Sequence, residues 1–164
     1  MPKYDDHRFD DYASVVEAHY VRFLEAAGAR VVPLLYDADE DVNIALLKTL
    51  NGVFMPGGGG DYIALGALVM SEAKKYNDAG TFYPVWATCL GFERMAAYTA
   101  AEPLKLLTNI GASHVSLPLE FLVDPAQTKM FCPLGQDAQA FAAKPFTYNG
   151  HRWSITDEAF AADA

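Results

Sequence analysis

With 164 residues, 52% of them hydrophobic and 20% charged, the chain is long enough to bury a real core and short enough for one domain; its two cysteines, Cys89 and Cys132, are too few for a disulfide framework or a zinc site. A formal net charge of −9, with no cluster of Lys or Arg to neutralise phosphates, argues against nucleic acid as a partner. No apolar run reaches the length of about eighteen residues that spans a bilayer, the polar, acidic stretch 1–11 does not read as a signal peptide, and no Asn-x-Ser/Thr acceptor occurs, so neither membrane insertion nor N-glycosylation is expected.

Residues 12–27 carry Val16, Tyr20, Phe23, Leu24 and Ala27 at helical spacing, with Gly28 as the C-cap. The continuous apolar run 31–35 predicts a strand covered on both faces. Acidic residues between Asp37 and Asp41 open a second helix, which carries Val42, Ile44, Leu46, Leu47 and Leu50 and stops at Asn51-Gly52. A buried strand follows at 53–55, and then Pro56-Gly57-Gly58-Gly59-Gly60. That glycine run reads either as a flexible strand-to-helix turn or as a loop whose N–H groups point at an oxyanion or another anion. It lacks the Gly-Lys-Ser/Thr ending of a phosphate-binding loop and the ribose-binding acid of a dinucleotide fold. A helix over 61–77 has Asp61 as its cap. Next come a strand at 82–86 and a helix from Leu90 to about Tyr98. After Pro103, strands are expected at 104–108 and 115–121, with Pro118 confining the second to an edge or bulge. Residues 124–146 read as loop with a short helix near 138–143. Alternating helices and strands predict an α/β domain with a parallel sheet and no internal repeat.

Trp86-Ala87-Thr88-Cys89-Leu90-Gly91-Phe92-Glu93 places Cys89 at the corner between strand and helix, in the pattern small-x-nucleophile-x-Gly. Small flanking residues suit a turn too sharp for larger side chains. At a helix N-terminus the dipole and the unpaired N–H groups favour thiolate, and the amide of Leu90 is poised to receive an oxyanion. The competing reading is a buried cysteine in an α/β core. Glu93, four residues on, shares the helical face of Cys89 and either orients a polar partner near the thiolate or is simply solvated. Cys132, beside Pro133, reads as incidental. Among the histidines, His7 and His19 read as surface groups and His114 falls at a strand edge.

This elbow resembles that of γ-glutamyl hydrolase, in the class I glutamine amidotransferase-like family. The resemblance extends to 18–25 with 27–33, to Asn51-Gly52-Val53-Phe54-Met55-Pro56-Gly57-Gly58-Gly59, to Asp78-Ala79-Gly80 leading into Tyr83-Pro84-Val85-Trp86, and to His151-Arg152-Trp153-Ser154. Ala87 stands where the family usually has glycine. The resemblance implies a three-layer α-β-α domain over 1–164 with a mainly parallel, flavodoxin-like sheet, incomplete here: the family's first strand and its late Trp-His-Pro-Glu-like segment, which carries the principal histidine, have no counterpart. It implies a cysteine hydrolase that cleaves the γ-glutamyl isopeptide bonds of folylpoly-γ-glutamates through a thioester. Cys89 would be the nucleophile, Leu90 with Gly58 or Gly59 the oxyanion donors, and His151 and Glu93 auxiliaries. No cofactor or metal is implied; the partner is a small-molecule γ-glutamyl substrate; and the family's compartment is vacuolar, lysosomal or extracellular. Two other functions stay open: a catalytically inactive homologue acting as scaffold in a homo-oligomer or larger assembly, and a glutaminase subunit of an amidotransferase.

Overall fold

The computed structural model describes residues 14–59, 62–100 and 106–163. Expectations that rest on the polar run 1–11, on His7, on the first turn of the helix at 12–13, on Gly60 and the cap Asp61, and on Leu104 lie outside those residues. Backbone packing divides the chain into two compact units, residues 1–106 with 160–164, and residues 107–159.

In the first unit, α1 (Ala18–Ala26) starts later than its apolar spacing predicts, because the backbone at Glu17 is extended. Its end is as expected. Gly28 adopts φ 88°, its N–H donates to Glu25 at 2.9 Å, and the Ala29 N–H donates to Leu24 at 3.1 Å, a pairing that satisfies the last carbonyls of the helix. The strand expected at 31–35 does not form: the segment has no ladder partner among the described residues, and Val32 and Leu35 are exposed. An extended run becomes a strand only when a neighbour takes its backbone hydrogen bonds, and here the Leu35 carbonyl accepts instead from the Asn43 side chain at 3.0 Å.

Helix α2 (Glu40–Leu47) begins with Glu40 and Asp41 at its positive dipole end and buries Leu47 completely. Strand β1 (Val53–Met55) is joined to β2 (Val85–Ala87) by α3 (Ile63–Asp78), the helical crossover that a parallel pair requires. The two strands pair in parallel, Val53 with Val85, Phe54 with Trp86 and Met55 with Ala87. Beyond β2 runs α4 (Leu90–Thr99). Helix α3 packs against both α2 and α4, and Leu47, Met55, Tyr62 and Val69 form the buried centre. The approach to β2 is held by one side chain. The Asn77 amide accepts from the Tyr83 N–H at 3.2 Å and donates to the Tyr83 carbonyl at 2.8 Å, and the Tyr83 hydroxyl donates to the Leu47 carbonyl at 3.0 Å.

The second unit pairs β3 (Leu107–Asn109) with β6 (Trp153–Ile155) and, nested within them in sequence, β4 (Ser113–Leu117) with β5 (Thr147–Gly150), both antiparallel. Pro118 lies just past the end of β4, and the irregularity falls at His114 instead, where the register shifts between Ser113 and Val115. Between the hairpin arms, 3₁₀ turns at Pro125–Gln127 and Cys132–Ala138 lead into the short helix α5 (Gln139–Ala143), close to the helix expected there. Phe121, Phe131, Phe141 and Phe146 stack edge to face in sequence, with centroids 5.0–5.8 Å apart.

The chain therefore mixes helices and strands in the α/β manner. The described ladders are small and mostly antiparallel, where a mainly parallel sheet was expected. Two local facts account for this. Residues 31–35 add no strand to β1, and the segment after residue 106 folds back on itself, which makes antiparallel pairs. Among the described residues no helix is long and apolar enough to cross a membrane.

Candidate active site

Because β1 and β2 run parallel in register, the segments that leave their C-terminal ends are neighbours: Pro56-Gly57-Gly58-Gly59 after β1, and Thr88-Cys89 after β2. The Thr88 N–H donates to the Met55 carbonyl at 3.1 Å and ties the two exits together. Cys89 then turns the chain sharply, with φ 54° and ψ −120°. That region is adopted freely only by glycine and costs about 1–3 kcal/mol for other residues. The thiol is exposed rather than packed in a core.

Cys89 is the N-cap residue of α4, and its carbonyl accepts the Glu93 N–H at 3.0 Å. Leu90 opens the helix, so its N–H lies outside the intrahelical ladder. Gly91 is buried, and a Cβ there would run into the Met55 carbonyl. This contact is the atomic reason for the glycine two residues after the cysteine: α4 starts directly over β1.

The glycine turn is built as tightly on the other side. Gly57 is buried, and a Cβ on it would lie 2.6 Å from the Tyr20 hydroxyl and 2.7 Å from Cys89 Cβ. Its N–H donates to the Tyr20 hydroxyl at 3.0 Å, while the carbonyl of Pro56 accepts from the Tyr62 hydroxyl at 2.8 Å. Burial pushes the Tyr62 phenol well above its usual range, so it stays protonated and able to donate. Burial also raises Tyr20, against the opposing pull of the Gly57 hydrogen bond. Gly58 (φ 125°) and Gly59 are exposed.

Of the residues singled out from sequence, Cys89, Leu90, Glu93, Gly58 and Gly59 all belong to the first unit, with half-buried Glu93 one helical turn beyond Cys89. His151 belongs to the second unit. Its backbone N–H donates to Ala112 at 3.0 Å, and its Nδ1, facing the Trp153 carbonyl at 2.8 Å, must carry a proton because a carbonyl can only accept; Nε2 lies 3.1 Å from the Asn149 Oδ1. Exposed His19 on α1 pairs with Glu17, the residue before the helix, and His114 bonds to the Tyr148 hydroxyl at 2.8 Å. Cys132 is exposed at the start of a 3₁₀ turn. No group of three or more His, Cys, Asp or Glu that could hold a metal ion occurs among the described residues.

No protein-family model matches the chain. Individual proteins do. Over 151 residues, which cover 88% of this chain, it is 36% identical to gamma-glutamyl hydrolase of Rattus norvegicus and 34% identical to that of Homo sapiens. It is 33% identical to gamma-glutamyl hydrolase B of Dictyostelium discoideum, over 87% of this chain. The chain is a homologue of the γ-glutamyl hydrolases. It spans about half the length of the curated relatives it matches, 47% of the rat and human proteins and 43% of the Dictyostelium one.

Within this γ-glutamyl hydrolase homologue, sequence reading overlooked Tyr20 and Tyr62. Tyr20 was legible only as an apolar position of the first helix and Tyr62 was not singled out, yet a tyrosine that is buried or half-buried needs a partner for its hydroxyl. Here both find it on the backbone of the glycine turn.

Proposed function

We propose that this chain carries the nucleophile and oxyanion donors of a cysteine hydrolase that cleaves γ-glutamyl isopeptide bonds, with folylpoly-γ-glutamates as the substrate class. The observation that carries the reading is Cys89 itself. It is an exposed cysteine held at φ 54° at the start of a helix, beside a glycine turn, in a homologue of the γ-glutamyl hydrolases.

The Cys89 thiolate attacks the γ-carbonyl carbon, forming a C–S bond and pushing the carbonyl electrons onto oxygen. The N–H of Leu90 and that of Gly58 or Gly59 hold this oxyanion, where preorganised donors are worth most. The tetrahedral intermediate collapses, the C–N bond breaks, and the amine leaves with the proton that the Cys89 thiol gave up on ionising. Water then attacks the thioester, releasing the γ-carboxylate and regenerating the thiol. His151 and Glu93 act as auxiliaries, handling substrate and orienting polar groups; the principal histidine is the one that the family carries in a Trp-His-Pro-Glu-like stretch absent from residues 1–164. The β1–β2 ladder and its crossover α3 support placing the chain in a parallel, three-layer fold of the flavodoxin-like kind, with residues 1–164 as part of one such domain.

The test is acid-quenched mass spectrometry of the chain mixed with a γ-glutamyl peptide. A γ-glutamyl adduct on Cys89, lost in Cys89→Ala together with any hydrolysis, is expected. Hydrolysis that persists unchanged in Cys89→Ala would end the proposal, whereas neither adduct nor hydrolysis from the unsubstituted chain would leave a scaffold role as the better reading.

A further inference from the structure

The peptide unit joining Pro56 to Gly57 is held at both ends by tyrosine hydroxyls from different helical elements. Its carbonyl accepts from Tyr62, at the N-terminus of α3, and its N–H donates to Tyr20 on α1. In a trans peptide these two groups point in opposite directions, so the hydroxyls grip the plane from opposite sides. The need for such a grip follows from the sequence. Gly57 cannot carry a side chain, because a Cβ would meet both the Tyr20 hydroxyl and Cys89 Cβ. The glycines that the site requires are also the residues with most backbone freedom. Oxyanion donors are effective only when they are fixed before the charge develops.

We infer that Tyr20 and Tyr62 are positioning residues that lock the Pro56–Gly57 peptide plane and so aim the amides of Gly58 and Gly59 at the carbonyl bound to Cys89. The inference rests on the proposed acyl-transfer role of Cys89. Turning the plane over would require both hydroxyls to exchange donor and acceptor roles together, which makes the lock cooperative. Tyr62, largely buried, anchors the carbonyl side. Tyr20, half-buried beside Cys89, anchors the amide side.

Tyr20→Phe and Tyr62→Phe keep the rings and remove only the hydroxyls. Three readouts on the 164-residue chain decide the matter. The first is amide hydrogen exchange at Gly57, expected to accelerate about tenfold in Tyr20→Phe, the effect of losing one hydrogen bond. The second is the affinity of Cys89 for a γ-glutamyl aldehyde, whose hemithioacetal places an oxygen in the oxyanion site; it is expected to fall about tenfold in each variant. The third is the rate of alkylation by iodoacetamide, which needs the thiolate but no oxyanion donor, and is expected to stay within about twofold. Unchanged Gly57 exchange in Tyr20→Phe, or aldehyde affinity unchanged in both variants, overturns the lock. Equal losses toward both reagents make the tyrosines merely structural and also overturn it. If the unmodified chain reacts with iodoacetamide but not with the aldehyde, the acyl-transfer reading of Cys89 fails, and the lock with it as a catalytic device; Gly57 exchange then still reports whether the plane is held.

Discussion

In the first unit, Leu47, Met55, Tyr62 and Val69 are buried beneath three helices, and the parallel pair β1–β2 ends directly against the start of α4. In the second, all five residues of β4 are exposed, and the hydrophobic centre is a file of phenylalanines whose last member, Phe146, is itself exposed. Among the described residues each unit contains one non-glycine residue at positive φ, Cys89 at 54° and His114 at 59°. Strain of this kind persists only where the surroundings over-determine it. At Cys89 the surroundings are backbone and core: the Thr88 bond to Met55, the contact of Gly91 with the Met55 carbonyl, and the wedge of Gly57. At His114 they are a strand bulge and a single side-chain bond to Tyr148. A site that must hold a nucleophile in one direction belongs in the first kind of setting.

That contrast breaks first at Leu47. Leu47→Ala removes a fully buried side chain and should cost about 2–5 kcal/mol. Leu117→Ala, on exposed β4, should stay within about 0.5 kcal/mol. Amide exchange, followed separately in α2–α3 and in β4–β5, would read the two; equal losses would mean that the units are equally well packed. Next in size is Gly91→Ala. Because the added carbon meets backbone rather than a flexible side chain, relief requires α4 to lift off β1, and a loss of about 1–3 kcal/mol is expected in thermal unfolding. A neutral substitution there would show that the start of α4 is not pressed against β1.

The elbow could be read in advance because its determinants are local. Gly91, Cys89 and small Ala87 lie within five residues, and a sharp strand-to-helix turn imposes their spacing. Gly28 was legible for the same reason, as were the acidic opening of α2 and the strand at 53–55. What escaped depends on partners distant in sequence. The run 31–35 has the composition of a strand, but no strand lies beside it among the described residues. Strands β5 and β6 were invisible because Thr147-Tyr148-Asn149-Gly150 lacks apolar alternation and is extended only by pairing with β4. The bond between Gly57 and Tyr20 joins residues 37 positions apart, and nothing in either neighbourhood announces the other.

A smaller effect separates strain kept for a site from strain repaid nearby. The Cys89 side chain makes no capping bond to α4, so replacing it with glycine gives up no such bond and relieves the left-handed backbone. Cys89→Gly should therefore unfold about 1 kcal/mol later than Cys89→Ala, although both lack the thiol. Equal stabilities would show that the backbone at residue 89 relaxes when the thiol is removed.

The smallest expected change is at His114, where the same substitution acts on both sides of the balance. Glycine would remove the strain of φ 59°, which histidine already tolerates better than most residues, but it would also delete the 2.8 Å bond from Nδ1 to the Tyr148 hydroxyl. Relief and loss are each of order 1 kcal/mol, so His114→Gly should fall within about 0.5 kcal/mol of the unsubstituted chain. Tyr148→Phe removes the bond and leaves the strain, so it should be the more destabilising of the two. If His114→Gly instead stabilised the chain as much as Cys89→Gly does relative to Cys89→Ala, the bond to Tyr148 would be offsetting nothing. His114 would then be a second residue held under uncompensated strain, and by the reasoning applied to Cys89 it would call for a functional explanation of its own.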